Sequence, residues 1–291
     1  MKIYLCLLAM AAALVLTACS SEEKVIDNSD TDWQLLAATQ DSKVVRIKMP
    51  SLEVANPDVM ATILGGPAPG NISKITEFRS NLYFLIPSAR QIVIADKYDF
   101  SHVATIDFSA EDLEPTDICF PNATAAYVSH GNAASVSLVD ITTFEVARVI
   151  AVGNDPRGIT GAGNQVYVCN QADNSVSVID TRTNEVAATI LVSPYPTYVQ
   201  ANNAKSEMVV VSLGYGKLDE TQQKSAAIVT FIDITTREKL AETALGFGGI
   251  DPVEQHPYGL AVSPKDWAFI PTDDYLLRID ARFHDRVMLA N

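Results

Sequence analysis

The chain has 291 residues, 48% of them hydrophobic, enough for one large packed domain or two small ones. Its formal net charge of −14 repels phosphate backbones and argues against a nucleic-acid partner. The same charge opposes flat adhesion to anionic lipid, so any hold on a membrane has to come from a separate anchor.

Residues 1–18 have a positive start at Lys2, an apolar run over Leu7–Leu16 and small residues at the end, the pattern of a secretory signal peptide. The stretch Leu16-Thr17-Ala18-Cys19 resembles a bacterial lipobox. That resemblance implies cleavage before Cys19, lipidation of its thiol and a mature chain anchored at a membrane surface. An ordinary signal peptide or a short membrane helix is the competing reading. Loss of Lys2 with the signal leaves a net charge of −15. Ser20 and Ser21 follow the cysteine where no aspartate stands. By analogy with lipoprotein sorting in Gram-negative bacteria this implies the outer membrane, with the periplasmic or surface face left open. Residues 19–32 are polar and acidic and read as a flexible tether, and residues 33–291 as the folded domain.

Within the folded domain a unit repeats. VYVCNQADNSVSVIDTRTNEVAATILV (Val166–Val192) aligns closely with AAYVSHGNAASVSLVDITTFEVARVIAV (Ala125–Val152). A tyrosine and an aspartate thirteen positions later recur as Tyr83/Asp96, Tyr127/Asp140 and Tyr167/Asp180. Each unit reads as strands of β-branched residues separated by Asn/Asp/Gly turns. A further inner strand precedes the triplet at Thr116, Arg157, Thr197 and Tyr258, after Pro115, Pro156, Pro196 and Pro257. The aspartate continues as Asp233 and Asp280, with Lys48 in its place in the first unit, at intervals of 48, 44, 40, 53 and 47 residues. Four strands per unit of this length predict an all-β fold, a β-propeller of four-stranded antiparallel blades with six units visible. The recurrent aspartates read as turn formers rather than acids.

The fragment VYVCNQADNSVSVIDTRTNEVAATILV resembles the YVTN-type repeat of YncE-like propellers, closely in two units and loosely in four. The first unit has no recognisable inner strand, and the last stops at RVMLAN within its outer strand. The expectation is a ring completed by a further strand or blade, or else six blades with a three-stranded first one.

In such blades the turns between second and third strands, and the links to the next inner strand, emerge on one face. This maps Arg90, His130, Asn132 and Asn174 to the first class, and Arg157, Tyr195, Tyr198, His256 and Tyr258 to the second. Two longer segments, Gly214–Ser225 with Tyr215 and Gly246–Gly259 with Phe247, fall on the same predicted face. Candidate ligand-binding residues are therefore Arg90, His130, Arg157, Tyr195, Tyr198, Tyr215 and Tyr258, tyrosine offering an apolar body with a polar tip. Inner-strand packing explains Tyr198 and Tyr258 equally well, and a structural ion pair explains Arg157. Cys119 and Cys169 sit in apolar runs of different units and read as buried free thiols, though an exported protein can pair such cysteines.

The four histidines lack metal-ligand spacing, and Cys-x-x-Cys-His, glycine-rich phosphate loops and Gly-x-Ser-x-Gly do not occur. No cofactor or metal is called for. The expected function is a membrane-anchored envelope module binding a small-molecule ligand or a partner on its propeller face. The resemblance extends to surface lipoproteins that capture cobalamin and pass it to a TonB-dependent outer-membrane transporter. A propeller enzyme of the lactonase or quinone-dependent dehydrogenase type, and a surface-layer or adhesion protein, are the alternatives.

Overall fold

The computed structural model describes residues 33–49, 51–214, 225–245, 255–284 and 286–290. They form six antiparallel sheets, five four-stranded and one three-stranded, the blades of a β-propeller. Packing divides the chain into two compact units with a boundary between Pro115 and Thr116.

The first unit holds two blades. Blade 1 is β1 (Trp33–Ala38), β2 (Val44–Met49) and β3 (Glu53–Asn56), and so has no inner strand among the described residues, as its sequence implied. Blade 2 is β4 (Lys74–Phe78), β5 (Asn81–Ile86), β6 (Gln91–Asp96) and β7 (His102–Asp107). Between them lies α1 (Val59–Leu64), which the repeat pattern did not foretell. Its signals are local: the Asp58 carboxylate accepts the Ala61 N–H at 3.1 Å as an N-cap, and Gly65 closes it at φ 69°. Val59, Met60 and Ile63 of α1 join Val44, Leu82, Phe84, Ile86 and Val93 in one core.

The second unit holds four blades. Blade 3 is β8 (Pro115–Cys119), β9 (Ala125–His130), β10 (Ser135–Asp140) and β11 (Glu145–Ala151). Blade 4 is β12 (Pro156–Ala162), β13 (Gln165–Asn170), β14 (Ser175–Asp180) and β15 (Glu185–Leu191). Blade 5 is β16 (Pro196–Ala201), β17 (Glu207–Ser212), β18 (Ile228–Asp233) and β19 (Lys239–Ala244). Blade 6 is β20 (Ala261–Val262), β21 (Trp267–Pro271), β22 (Leu276–Asp280) and β23 (Arg286–Ala290). The expected inner strand at Tyr258 is shorter than predicted. Its ladder pairs are Ala261 and Val262 with Phe269 and Ala268, and the Tyr258 N–H still donates to the Pro271 carbonyl at 2.9 Å.

In blades 4 and 5 the second and third strands are buried on both faces rather than alternating, because each of these sheets packs against a neighbour on either side. Separate apolar layers fill the spaces between blades 3 and 4 (Tyr127, Val136, Ile150, Val166, Val168, Ile179) and between blades 4 and 5 (Tyr167, Val176, Val178, Met208, Val210). Cys119 and Cys169 are buried free thiols, as expected, and burial pushes the Cys169 thiol well above the ordinary range.

All six third-to-fourth strand turns share one geometry. The fifth residue of each turn has positive φ: Leu52, Phe100, Phe144, Asn184, Arg237 and His284. Its amide donates to the carbonyl of Lys48, Asp96, Asp140, Asp180, Asp233 or Asp280 respectively. Every one of those aspartates also accepts the N–H two residues on, at 2.7–2.9 Å. Side-chain bonds from Thr142 and from Arg182 hold the Asp140 and Asp180 carboxyls below the usual range, Asp180 at about 2. The aspartates are consumed as turn formers.

The recurrent tyrosines tie one blade to the next. The Tyr127 hydroxyl of blade 3 donates to Asn184 Oδ1 in the turn of blade 4. The Tyr167 hydroxyl of blade 4 lies 3.2 Å from the Ile234 carbonyl in the turn of blade 5. Desolvation pushes both phenols up to about 12.

Candidate functional site

The residues after the inner-strand prolines are set apart from the regular ladder. The register of β12 on β13 jumps between Pro156 and Ile159, and that of β16 on β17 between Pro196 and Tyr198. Arg157 and Thr197 thus sit in bulges, the local device that re-aims a side chain out of the pleat. Blade 3 holds the first bulge from its other side. Ser129 Oγ donates to the Arg157 carbonyl at 2.6 Å, and the Ile159 N–H donates to Asp117 Oδ2 at 3.2 Å. Gly158 lets the inner strands approach: a Cβ there would stand 2.6 Å from the Thr197 carbonyl oxygen.

From these positions a polar arc runs across blades 3, 4 and 5. The Gly131 N–H donates to Thr116 Oγ1 at 2.8 Å. Arg157 Nη2 donates to Asp155 Oδ2 at 3.1 Å, while its Nε makes an ion contact with Asp155 Oδ1 at 2.8 Å. The Asp155 carbonyl accepts the Gln171 N–H at 2.9 Å. Gln171 Nε2 donates to Thr197 Oγ1 at 2.6 Å, and that hydroxyl donates to the Tyr195 carbonyl at 3.0 Å. The Tyr195 N–H ends the arc on Asn174 Oδ1 at 3.0 Å. The Arg157 side chain stays 41% exposed, so its charge is both paired and reachable.

The predicted site residues separate accordingly. Arg157, Tyr195 and Asn174 belong to this arc. His130 does not stand in a turn: it is the last residue of β9, fully buried, with Nε2 2.8 Å from Ser137 Oγ. A hydroxyl–imidazole pair sealed in this way cannot meet a substrate. Tyr198 packs against the apolar layer between blades 5 and 6, where burial raises its phenol pKa, so it belongs to the inner-strand packing. Tyr258 is 61% exposed beside His256, which lies 2.6 Å from Asp273 Oδ2, and buried Gln255, which donates to Asp274 Oδ2 at 2.7 Å. In the first unit Arg90 ends a short 3-10 turn (Pro87–Ala89) at φ 56° and is paired with Asp112. Tyr215, Phe247 and Cys19 lie outside the described residues.

Sequence reasoning missed Thr116, Asp155, Gln171 and Thr197. Thr116 and Thr197 were legible, since they occupy the same post-proline position as Arg157. Gln171 was not, because only the three-dimensional approach of blades 4 and 5 gives its amide a partner. Among the described residues no group of three or more His, Cys, Asp or Glu is close enough to hold a metal ion. No described helix is long and apolar enough to cross a membrane.

No family model matches the chain, and no curated protein matches it. Among solved structures it is similar to a chain of Kuenenia stuttgartiensis hydrazine synthase, at 17% identity and a TM-score of 0.68. The match covers 85% of this chain and 73% of that one. At such identity the likeness shows the fold alone. Blades and likeness together define the class: an all-β protein with a β-propeller scaffold.

Proposed function

We propose that the protein is a lipid-anchored envelope lipoprotein of the YVTN-repeat, YncE-like kind, whose propeller face binds a small ligand or a partner. The observation that carries this reading is the arc around Arg157. Ser129 ties it to blade 3 and Gln171 to blade 5 by hydrogen bonds, it sits in bulges and it keeps the Arg157 guanidinium in reach of solvent, whereas the recurrent aspartates and the cysteines are spent or buried. The anchor is Cys19, the tether residues 19–32, and the bound state is handed to an outer-membrane transporter. The face acts by recognition rather than catalysis: its charged groups are already paired, which suits a neutral, hydrogen-bonding ligand more than a free ion.

Cobalamin is the first ligand to try, because the sequence resemblance implies it. Spectroscopic titration of the full chain is expected to give a shift saturating at one-to-one stoichiometry, weakened at least about tenfold in Arg157→Ala. Absence of binding at micromolar cobalamin removes this ligand. Retention of full affinity in Arg157→Ala removes the site. Palmitate labelling that persists in Cys19→Ala would overturn the anchor.

A further inference from the structure

Blade 6 differs from its neighbours in the residue that precedes the inner-strand proline. Blades 3, 4 and 5 carry Glu114, Asp155 and Tyr195 there, and blade 6 carries His256. Burial alternates along this link: Gln255 and Pro257 face inward, His256 and Tyr258 outward. A period of two places the imidazole and the phenol on one side of the segment, about 7 Å apart along the chain.

The imidazole is held rather than left to rotate. Its Nδ1 lies 2.6 Å from Asp273 Oδ2. An ionised carboxylate only accepts, so in the neutral ring Nδ1 carries the proton and Nε2 keeps its lone pair. The side chain is 52% exposed, and among the described residues Nε2 has no hydrogen-bond partner. Both sides of the contact are fixed. On the link, buried Gln255 donates to Asp274 Oδ2 at 2.7 Å and the Tyr258 N–H to the Pro271 carbonyl at 2.9 Å. On the turn, the Thr272 N–H and hydroxyl both reach the Tyr275 carbonyl, at 2.9 and 3.0 Å. The result is an oriented nitrogen donor open to solvent beside an exposed aromatic ring.

A carboxylate on one ring nitrogen orients an imidazole and strengthens the other nitrogen as an electron donor, which is how most metal-ligating histidines are held. A resident ion needs about three protein ligands, and the described residues do not bring three together. One donor instead suits a metal that arrives with its other ligands. We propose that His256 Nε2 is the axial ligand for a planar macrocyclic metal complex with an exchangeable axial position, and that Tyr258 packs against the macrocycle. A corrin cobalt and a porphyrin iron share that chemistry. On ligation the Nε2 lone pair forms the bond to the metal as a bound water leaves, with no change of oxidation state and no proton transferred. The inference rests on the proposed role of the face in ligand binding and adds to it an anchoring atom in blade 6, outside the arc around Arg157.

The test is a visible-absorption titration of the full chain with diaquacobinamide and with hemin, whose axial positions exchange, and with dicyanocobinamide, whose axial positions are blocked. At least one of the first two is expected to give a band shift that saturates at one equivalent, and the dicyano form none. Which of the two responds tells a corrin from a porphyrin. His256→Ala is expected to abolish the shift. Asp273→Asn, which keeps an acceptor for Nδ1 but removes the charge, is expected to weaken binding at least about tenfold with the bands in place. No shift with either exchangeable complex overturns the proposal, as does a shift that survives in His256→Ala and so comes from another imidazole such as exposed His102. Undiminished affinity in Asp273→Asn would make its contact with His256 an ordinary surface ion pair and overturn the orienting role. Micromolar binding of zinc chloride that is lost in His256→Ala would overturn the claim that the metal has to bring its own ligands. One-to-one binding of cobalamin with no band shift would remove this axial ligand and leave the reading of the face standing. A shift and an affinity both unchanged in Arg157→Ala would keep His256 and remove the arc.

Discussion

Where the third strand of each blade hands over to the fourth, six different sequences make the same turn. Where one blade hands over to the next inner strand, Thr116, Arg157, Thr197 and Tyr258 follow the same proline with different chemistry. The first kind of end spends its polar groups inward. Aspartate side chains bond backbone amides of their own turn, and tyrosines reach the next blade's turn. The second kind departs from the ladder through bulges and keeps charge in contact with solvent. A repeat scaffold thus separates residues that hold blades together from residues free to vary, and the variable end is where recognition can be built.

The largest effect is expected within the second kind of end, at the crossing of the inner strands β12 and β16. Gly158→Ala places a Cβ 2.6 Å from a backbone carbonyl, which neither strand can rotate away. Chemical denaturation of the full chain is expected to show a loss of about 3 kcal/mol. An unchanged midpoint would mean that the inner strands are not held as closely as described. A smaller loss follows from Tyr167→Phe, which keeps the buried ring and removes a hydroxyl bonded to Gln165 Oε1 at 2.6 Å and facing the Ile234 carbonyl. About 1 kcal/mol is expected by the same measurement.

The smallest effect is confined to acid. Asp180 has its folded pKa depressed, from 3.8 to about 2, chiefly by the Arg182 side chain and backbone. Its stabilising contribution is therefore complete above pH 3.8 and is lost as pH falls through about 2. Asp180→Asn keeps an oxygen for the Arg182 N–H but cannot titrate. Its stability is expected to fall less steeply than that of the native chain between about pH 4 and 2. Equal slopes would place the acid sensitivity elsewhere, for instance in Asp140, Asp233 or Asp280, whose carboxyls are also lowered.

Much of the architecture was legible because it depends on local chemistry. The Tyr-to-Asp spacing marked the second and third strands of the clearest units, and the recurrent aspartate marked turns whose geometry needs only a short acceptor side chain and one residue of positive φ. The prolines marked the inner strands but not their bulges. α1 escaped notice because six residues carry too little periodicity, leaving only Asp58 and Gly65 as signals. His130 was misplaced because the sequence does not say whether the last polar residue before a glycine ends a strand or begins a turn. Burial and the Ser137 contact settle that point.

The sequence by itself determined the six repeat units, the order of the strands within them, the structural role of the aspartates and the burial of both cysteines. Those properties follow from residue type and short-range spacing. Only the tertiary structure decided which polar groups meet: Gln171 with Thr197, Ser129 with the Arg157 carbonyl, His284 with Glu207, and Asn170 with an acceptor left over. Such pairings join residues of different strands, and in most cases of different blades. They depend on how sheets stack, and no local pattern encodes that.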